Sequence, residues 1–301
     1  MKNPKDQLTE RARVIQALRS FFIQDNYLEV ETPIRIPAPA PEAHIDSFES
    51  EAWFLQSSPE LAMKRLMTRG HDRIFQICKC FRKEERGDRH LTELTMLEWY
   101  TAGHTYRNLM EQCALLVRHV AKETGSGNSL TYMGETIDLC SPWQILTVGE
   151  AFARYTDTTL EKAVSDQSFD ERMAFEIEPS LGRGKPTCIM DYPASMAALS
   201  RLKPEDPRFS ERFEFYIAGM ELANGFSELN DPVEQRKRFE AEAEIRARKG
   251  KPTTPMPEPF LRDLGSMPNT AGIALGVDRL VMLFTDSPSI DDVVAFTPEA
   301  L

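Results

Sequence analysis

The chain has 301 residues, of which 41% are hydrophobic and 28% are charged, as is usual for a folded globular protein. No apolar run approaches the roughly 18 residues of a membrane-spanning helix, and the polar N-terminus lacks a signal-peptide core, so we expect a cytoplasmic protein. A net charge of −11 argues against broad, sequence-independent nucleic-acid binding, although a local basic patch over residues 82–89 is compatible with it.

The first predicted elements are a helix and a short strand. Apolar residues recur on one face from Leu8 to Asp25, which predicts a helix, and Asn26 is suited to a left-handed cap. Residues 28–32 alternate as in a strand that ends at Pro33. The proline-rich segment 37–41 then predicts a loop.

The next predicted unit is a pair of strands. Residues 73–82 and 93–100 alternate, and the charged segment 85–92 between them predicts a loop. On the second strand, alternate residues share one face of the sheet, so Glu98 and Tyr100 point the same way.

A second hairpin is predicted after a stretch that is harder to interpret. Helical patterns cover residues 109–122 and 148–155, whereas residues 157–185 show no clear periodicity. Two strands then flank Ala218-Gly219, a pair suited to a two-residue turn. In that register Tyr216 lies opposite Glu221 and two residues from Glu214. Both carboxylates then share a face, as a magnesium site requires.

The C-terminal part is predicted to contain a charged helix at 234–249, a proline-rich connector at 252–259, and a strand at 271–276 that leads into a helix at 277–284. Gly272, Ala274 and Gly276 share one face of that strand. Their small size allows either a ligand to lie on the backbone or the strands to pack closely. Hairpins mixed with helices indicate an α+β fold.

Two arginines occupy breaks in regular structure. Arg82 ends a strand, where it is either a surface residue or a clamp for a carboxylate and a phosphate, which would also stabilise charge during their reaction. In the second case Glu84 could hold an adenine amino group and His90 a phosphate. Arg279 begins the last helix, where its flat guanidinium could stack on a base.

Glu98, Tyr100 and Glu228 form the other candidate cluster. They are either a structural polar group or, if they converge in a pocket, a binding site for an ammonium, because a buried cation must be paired. The five cysteines lack the spacing of a zinc site, and we expect them to be buried or inert thiols.

At these residues the chain resembles the class II aminoacyl-tRNA synthetases. The Arg82 and Arg279 segments resemble motifs 2 and 3, and the first helix and strand resemble motif 1, which forms the dimer interface in that class. Ser58-Pro59-Glu60, residues 95–100 and residues 224–228 are similar to the lysyl-tRNA synthetase subgroup. The resemblance implies an antiparallel sheet flanked by helices, a homodimer, and the use of ATP and Mg²⁺.

One branch of that subgroup resembles the chain most closely. Motif 1 begins almost at once, so we expect a single catalytic domain over residues 1–301 without the N-terminal anticodon-binding OB domain, which needs about 100 residues. A catalytic core alone is similar to the paralogues that attach lysine or (R)-β-lysine to a lysine side chain of elongation factor P. Trp99, residues 220–226, and Ala274 where the synthetases usually have glycine also fit those paralogues.

The resemblance implies a role for each matching position. Arg82 is the implied catalytic residue, and Glu214 and Glu221 are the implied magnesium ligands. The implied ATP-binding residues are Arg82, Lys83, Glu84, His90, Leu91, Leu94, Glu221, Leu222, Gly276 and Arg279. The implied amino-acid-binding residues are Ser58, Pro59, Glu60, Glu98, Tyr100, Asn224, Phe226, Glu228 and Ala274.

The chain departs from the family pattern after His90. The family usually has Asn-Pro-Glu-Phe there, and its phenylalanine stacks on adenine, whereas this chain has Leu91 and Leu94 at the first and last positions. We therefore expect weaker or altered adenine binding. The acceptor is expected to be elongation factor P rather than tRNA. An enzyme that uses tRNA or a small amine, and a catalytically silent regulatory paralogue, are the alternatives.

Overall fold

The computed structural model describes residues 4–301 as helices packed on a central sheet. The α-helices are α1 (Pro4–Gln24), α2 (Glu60–Met67), α3 (Tyr106–Thr124), α4 (Val148–Tyr155), α5 (Leu160–Ser165), α6 (Phe169–Arg172), α7 (Pro232–Arg248), α8 (Glu258–Leu264) and α9 (Val277–Thr285). A π-helical turn covers Met173–Ile177, and 3-10 turns cover Glu178–Ser180, Ala194–Met196, Ile290–Val293 and Pro298–Ala300.

The strands form one large sheet and two small ones. They are β1 (Leu28–Glu29), β2 (Arg35–Ile36), β3 (Glu49–Ser50), β4 (Trp53–Leu55), β5 (Arg73–Phe81), β6 (Glu93–Ala102), β7 (Ser129–Tyr132), β8 (Glu135–Asp138), β9 (Gln144–Thr147), β10 (Thr187–Pro193), β11 (Phe209–Ile217), β12 (Met220–Ser227) and β13 (Thr270–Gly276). The large sheet has the order β1-β5-β6-β13-β12-β11-β10-β9. Its pairs are antiparallel except β1 with β5 and β9 with β10.

The two faces of the large sheet pack against different helices. Trp99 and Ile273 lie on the face that packs against α1, α3 and α9 in the main hydrophobic core. On the other face Tyr100 packs with α2 and α8, and Tyr216 packs with α4 and α6. The space between these two smaller clusters is left open over the middle of the sheet, and the candidate site lies there.

The elements with strong local signals are confirmed. The first helix is present, and Asn26 has a φ of 59°, as predicted for a left-handed cap. The strand after it is shorter than predicted, since only Leu28–Glu29 pairs with β5 before the chain turns away towards Pro33. The β5–β6 hairpin, the helices α3, α4, α7 and α9, and the strand β13 also lie where the pattern places them.

The second hairpin is confirmed in detail. Ala218 and Gly219 have φ values of 53° and 69°, which is the backbone of a two-residue hairpin turn. Tyr216 lies opposite Glu221 as predicted, and an irregularity in register next to this pair brings Glu214 opposite Asn224.

Several elements lack a counterpart in the predictions. The segment 157–185 folds into α5, α6, the π-helical turn and a 3-10 turn, all too short to produce a clear periodicity. The predicted proline-rich connector is two residues too long, because α8 begins at Glu258 with a proline in its first turn, a position that proline favours. Within residues 4–301, no helix is both long and apolar enough to cross a membrane.

Candidate active site

A cavity of about 360 Å³ lies on the open face of the sheet. Its floor is formed by neighbouring strands in which Tyr100 is paired with Gly272, Glu98 with Ala274, and Ala274 with Asn224. Because alternate residues of a strand point to one face, these side chains all face the cavity. The sheet thus brings together residues that are far apart in the chain.

Most of the predicted site residues line this cavity. They are Ser58, Glu60, Arg82, His90, Leu91, Leu94, Glu98, Tyr100, Glu221, Leu222, Asn224, Phe226, Glu228, Ala274, Gly276 and Arg279. The predicted residues that are not part of its wall are Pro59, Lys83, Glu84 and Glu214.

Each of these four residues is kept away from the wall by its local structure. Pro59 is the residue that precedes α2. Lys83 and Glu84 are exposed, because the backbone of Lys83 pairs with Asp46 and Glu84 takes a left-handed turn with a φ of 69°. Glu214 lies on the same face of the sheet as Asn224, but its carboxylate is occupied by hydrogen bonds from Arg212, Tyr216 and Asn224. The contacts predicted for these residues with ATP, substrate or metal therefore stay predictions.

Glu98 is the central acid of the floor. It is 1% exposed, and it accepts hydrogen bonds from Ser58 Oγ at 2.6 Å and Tyr100 Oη at 2.8 Å. Burial, reinforced by the negative charge of Glu60, raises the pKa of Glu98 to about 8. The carboxyl group has hydroxyl partners here but no cation of its own.

Lys64, on α2, is the most important residue that sequence analysis missed. It is completely buried, and its Nζ lies 2.5 Å from Glu60 Oε1 and 2.5 Å from Glu228 Oε2. Although burial opposes its charge, the two carboxylates raise the pKa of Lys64 above its usual range. The spacing of Glu60 and Lys64, four residues apart on a helix, was a signal that could have identified the pair.

The acidic end of the cavity contains more carboxyl groups than cations. Glu60, Glu98 and Glu228 provide three carboxylates, and Lys64 balances one of them. Burial raises the pKa of Glu228 to about 8, which shows how poorly the protein alone accommodates a further negative charge here. A ligand with two ammonium groups would complete the balance.

Unpaired polar atoms face the same end. Glu228 Oε1 and Asn224 Oδ1 are buried and have no donor among the described residues. The amide of Asn224 is oriented by its other atom, Nδ2, which donates to Glu214 Oε1 at 3.3 Å. Since buried acceptors are rarely left without partners, these two oxygens indicate a ligand that donates hydrogen bonds.

The small residues of β13, Gly272, Ala274 and Gly276, differ in what surrounds them. A Cβ at Gly272 would lie 2.2 Å from both Glu228 Oε1 and Tyr100 Cε1, so this glycine allows close packing of the acidic end. At Gly276 an added Cβ would meet only the side chain of Arg279, at 3.7 Å. Ala274 lies between Glu98 and Asn224 in the register, so its methyl group narrows the floor.

Arg279 is held at the opposite end of the cavity. Its Nη1 donates to the carbonyl oxygen of Glu221 at 2.8 Å, its Nη2 lies 2.6 Å from His90 Nε2, and its Nε lies 3.3 Å from the carbonyl oxygen of Arg89. Burial and the charge of Arg279 lower the pKa of His90, so the imidazole is neutral and accepts from the guanidinium. The guanidinium plane is therefore fixed before any ligand binds.

Arg82 retains more free hydrogen-bonding capacity. Its backbone N donates to the Thr92 carbonyl oxygen at 2.9 Å, and its Nη1 lies 3.6 Å from Glu85 Oε2, beyond hydrogen-bond range. Its Nε is buried without an acceptor among the described residues. This arginine lines the same cavity as the acidic end and Arg279, and it can therefore donate to an anionic ligand there.

Glu214 and Glu221, the predicted magnesium ligands, differ in their surroundings. Glu214 accepts from Arg212 and Tyr216 Oη at 2.6 Å each, whereas Glu221 faces the cavity and lies 3.4 Å from Arg279 Nη1. Burial and the nearby charge of Glu214 raise the pKa of Glu221. Two close carboxylates suit Mg²⁺ when phosphate and water supply the remaining oxygens. Within residues 4–301, no group of three or more metal-ligating side chains of His, Cys, Asp and Glu is found.

Other residues of the wall carried no signal that pointed to them individually. Arg89 lies in the predicted basic run. The other unpredicted residues of the wall lie in loops and turns or close to predicted site residues in the chain. They are Glu42, Ile45, Glu85, Met96, Ala223, Ile273, Asp278 and Ile290.

Comparison with known proteins identifies the family. Residues 1–300 match the family described as tRNA synthetases class II (D, K and N). The chain belongs to this family. The fold predicted from the sequence is confirmed, and class II tRNA synthetases of this kind use ATP and Mg²⁺.

Two kinds of class II relatives are similar to the chain. The lysine–tRNA ligase of Moorella thermoacetica is 39% identical over 95% of this chain, which spans only 64% of that protein. The elongation factor P–(R)-β-lysine ligases of Vibrio atlanticus and Vibrio cholerae are 38% and 36% identical over 96% of the chain, and here the match covers 95% and 94% of the relative.

Proposed function

We propose that the protein is an ATP-dependent ligase that activates lysine or (R)-β-lysine as an aminoacyl-adenylate and transfers it to a lysine side chain of elongation factor P. The observation that carries this proposal is the charge of the acidic end. Glu60, Glu98 and Glu228 outnumber Lys64 by two, so when all three carboxyl groups are ionised their two excess negative charges match the two ammonium groups of a lysine isomer. A neutral analogue would leave buried carboxylates unpaired and be rejected.

The activation step uses position and charge. With both ammonium groups at the acidic end, the substrate carboxylate reaches Arg82, whose free donors suit a carboxylate and a phosphate together. Attack of the carboxylate oxygen on the α-phosphorus forms a carbon–oxygen–phosphorus linkage and releases pyrophosphate. Arg82 stabilises the negative charge that develops at phosphorus, and Arg279 is held where it can stack on the base.

Glu221 and Glu214 would hold Mg²⁺, which would supply positive charge to neutralise the phosphates. This fits the raised pKa of Glu221, since a cation there would relieve the repulsion between the two carboxylates. In the structure described here Arg212 and Arg279 provide part of that compensation.

Removal of the Arg82 side chain tests the activation step. Lysine-dependent exchange of pyrophosphate into ATP should fall by about 10² to 10³-fold in Arg82→Ala, the range observed when a charge-stabilising donor is removed. Arg86→Ala is the matched control, because Arg86 lies in the same loop but pairs with Asp291 and Glu299 instead of lining the cavity. Exchange that persists at the wild-type rate in Arg82→Ala contradicts the role of this arginine.

The acceptor requires a separate test, because the similarity to lysine–tRNA ligases favours tRNA as a second candidate. Elongation factor P and lysine tRNA should be incubated in parallel with the enzyme, ATP and each lysine isomer. A gain of one lysyl group in the intact mass of elongation factor P supports the proposal. Charged tRNA with an unchanged protein mass supports the alternative.

We also propose a homodimer formed through the N-terminal helix and strand. Ile23 on α1, Leu28 on β1 and Ile34 just after it are large apolar residues that are 59%, 51% and 43% exposed. Large apolar side chains that stay exposed within a short stretch of chain are typical of an interface. Sedimentation of the wild type and of Ile23→Glu tests this, since the charged variant should shift towards the monomer.

A further inference from the structure

A second, smaller cavity adjoins the acidic end. Its volume is about 110 Å³, and prolines and alanines of the loop 36–40 and Pro257, Pro259 and Phe260 make up much of its lining. Glu42, Ser58 and Glu60 line both this cavity and the main one, so they form a shared boundary. An apolar passage that ends at carboxylates suits an aliphatic chain with a terminal ammonium.

Glu42 stands out at this boundary. Among residues 4–301, no hydrogen bond or ion pair involves its carboxylate, although Arg82, Glu60, Glu242 and Glu85 all lie close enough to influence its charge. The peptide bond that follows Glu42 is nevertheless held by two hydrogen bonds. The carbonyl oxygen of Glu42 accepts from Arg246 at 2.9 Å, and the N–H of Ala43 donates to Glu242 at 2.7 Å.

The proposed reaction creates a need for such a group. A lysine amine has a pKa of about 10.4, so the acceptor arrives as an ammonium and must lose a proton before it can attack. Arginines cannot accept that proton, and Glu98 and Glu228 are engaged with the amino-acid substrate. Glu42 has a free carboxylate near Arg82, where the reacting carboxyl carbon is placed.

We propose that Glu42 is the general base for the transfer step and that the second cavity admits the acceptor lysine side chain. This inference rests on the proposed function. Glu42 removes one proton from the acceptor ammonium, and the neutral amine attacks the acyl carbon of the adenylate. The new carbon–nitrogen bond forms as the bond from carbon to the phosphate oxygen breaks, and AMP leaves with that electron pair. The second proton of the amine goes to water, and Glu42 returns its own to solvent.

The acidity of Glu42 suits this role. Burial raises the pKa of Glu42 to about 7, despite the opposing charge of Arg82. A general base is most effective when its pKa lies near the working pH. At neutral pH the carboxylate is then ionised often enough to accept a proton.

Single-turnover transfer from preformed lysyl-adenylate isolates this step from activation. Enzyme loaded with lysine and ATP is freed of excess substrate and mixed with elongation factor P at pH 7. Glu42→Gln should slow the transfer by about 10²-fold or more, the usual contribution of a general base. Glu51→Gln is the matched control, because Glu51 belongs to the same part of the chain but pairs with Arg35 at the surface.

The pH profile and a second nucleophile distinguish a base from a structural residue. Wild-type transfer should increase as Glu42 ionises and level off above about pH 7, whereas Glu42→Gln should keep increasing with pH as the amine itself deprotonates. Hydroxylamine is already unprotonated at neutral pH. With hydroxylamine as acceptor, the defect of Glu42→Gln should be smaller by about tenfold or more.

The outcomes separate this inference from the function on which it rests. If the wild type shows no pyrophosphate exchange with either lysine or (R)-β-lysine, the proposed function fails. If the wild type transfers lysine but Glu42→Gln does so at the same rate with the same pH profile, only the role of Glu42 fails. An equal defect with hydroxylamine and with elongation factor P also overturns that role. The cavity assignment fails if Ala38→Phe, which adds bulk to the lining of the second cavity, leaves the KM for the acceptor unchanged.

Discussion

Among single residues, Lys64 has the largest influence on the acidic end of the site. It is buried between Glu60 and Glu228 and balances one of their charges before any substrate arrives. It also holds both carboxylates in position, since each of them contacts the same ammonium. The selectivity of the pocket therefore depends on a residue that does not line it.

Lys64→Met should destabilise the protein by about 3 kcal/mol, because it leaves buried carboxylates without their cation. Urea denaturation measures the change in the free energy of unfolding. Arg65→Met is the matched control, since the neighbouring Arg65–Asp263 pair is partly exposed and should contribute only about 0–1 kcal/mol. An equal decrease in the free energy of unfolding of the two variants would show that the buried ion pairs of Lys64 stabilise the protein no more than the partly exposed pair does.

Glu98 should couple lysine binding to pH. With its pKa raised to about 8, the free protein holds this carboxyl mostly protonated at pH 7, and a bound ammonium favours the ionised form. We therefore expect about one proton to be released for each lysine bound at pH 7. Affinity should increase as the pH rises from 6 to 8.

Calorimetry in two buffers with different ionisation enthalpies measures the proton release. The release should fall by about one proton for each lysine bound in Glu98→Gln, and an unchanged release there would assign the proton to another group such as Glu228. The stability of the free protein should change with pH in the opposite sense to lysine affinity, decreasing as the pH rises. The contribution of Glu98 to folding is fully present below its unfolded pKa and is lost as the pH rises through 8.

At the scale of elements, prediction succeeded where the signal is local. The turn at Ala218-Gly219 and the alternation through Glu98 and Tyr100 depend on neighbours in the chain, so the hairpins and the floor of the cavity could be predicted. The place of Glu42 in the site could not be predicted, because this residue lies in a proline-rich loop whose position is determined by α7. The same is true of the short helices between residues 157 and 185, which are stabilised by tertiary packing rather than by propensity.

That poorly predicted segment supports the site directly. Ala218 N donates to the carbonyl oxygen of Gly182 at 2.9 Å, and Gly219 N donates to that of Leu181 at 2.8 Å. The segment therefore holds the turn of the β11–β12 hairpin in place through two backbone hydrogen bonds. Glu221, which contacts Arg279, lies just beyond this turn.

Gly182→Ala should weaken the contact between this segment and the hairpin turn. Its Cβ would lie 2.6 Å from Ile217 Cα and 2.7 Å from the Tyr216 carbonyl oxygen, and its φ of 68° also disfavours alanine. Gly184→Ala is the control, since its φ is 67° and its Cβ meets nothing within 4 Å. Thermal or urea unfolding should show a loss of about 1–2 kcal/mol for Gly184→Ala from the backbone alone, and about 1–3 kcal/mol more for Gly182→Ala. Similar losses would argue against a tight contact.

At the scale of the whole molecule, the site is assembled from segments that are distant in sequence. The N-terminal third contributes the loop that carries Glu42 and Ile45, and the C-terminal third holds that loop in place. The link is Arg246 at the end of α7, which is 4% exposed and donates to the carbonyl oxygens of Glu42, Ile45 and Pro252 and to Asp46 Oδ1. A single guanidinium thus joins the loop, α7 and the proline-rich connector.

Arg246→Ala should release the loop around Glu42 while the sheet stays folded, because its contacts go to loops rather than to strands. Hydrogen exchange followed by mass spectrometry should show faster exchange in residues 37–46 and 250–257, with β6 and β13 unchanged. Arg248→Ala, at an exposed position on the same helix, should leave all of these segments as in the wild type. If the loop instead exchanges at the wild-type rate in Arg246→Ala, contacts other than this arginine hold it over the cavity. Uniformly faster exchange would indicate general destabilisation and contradict a local tether.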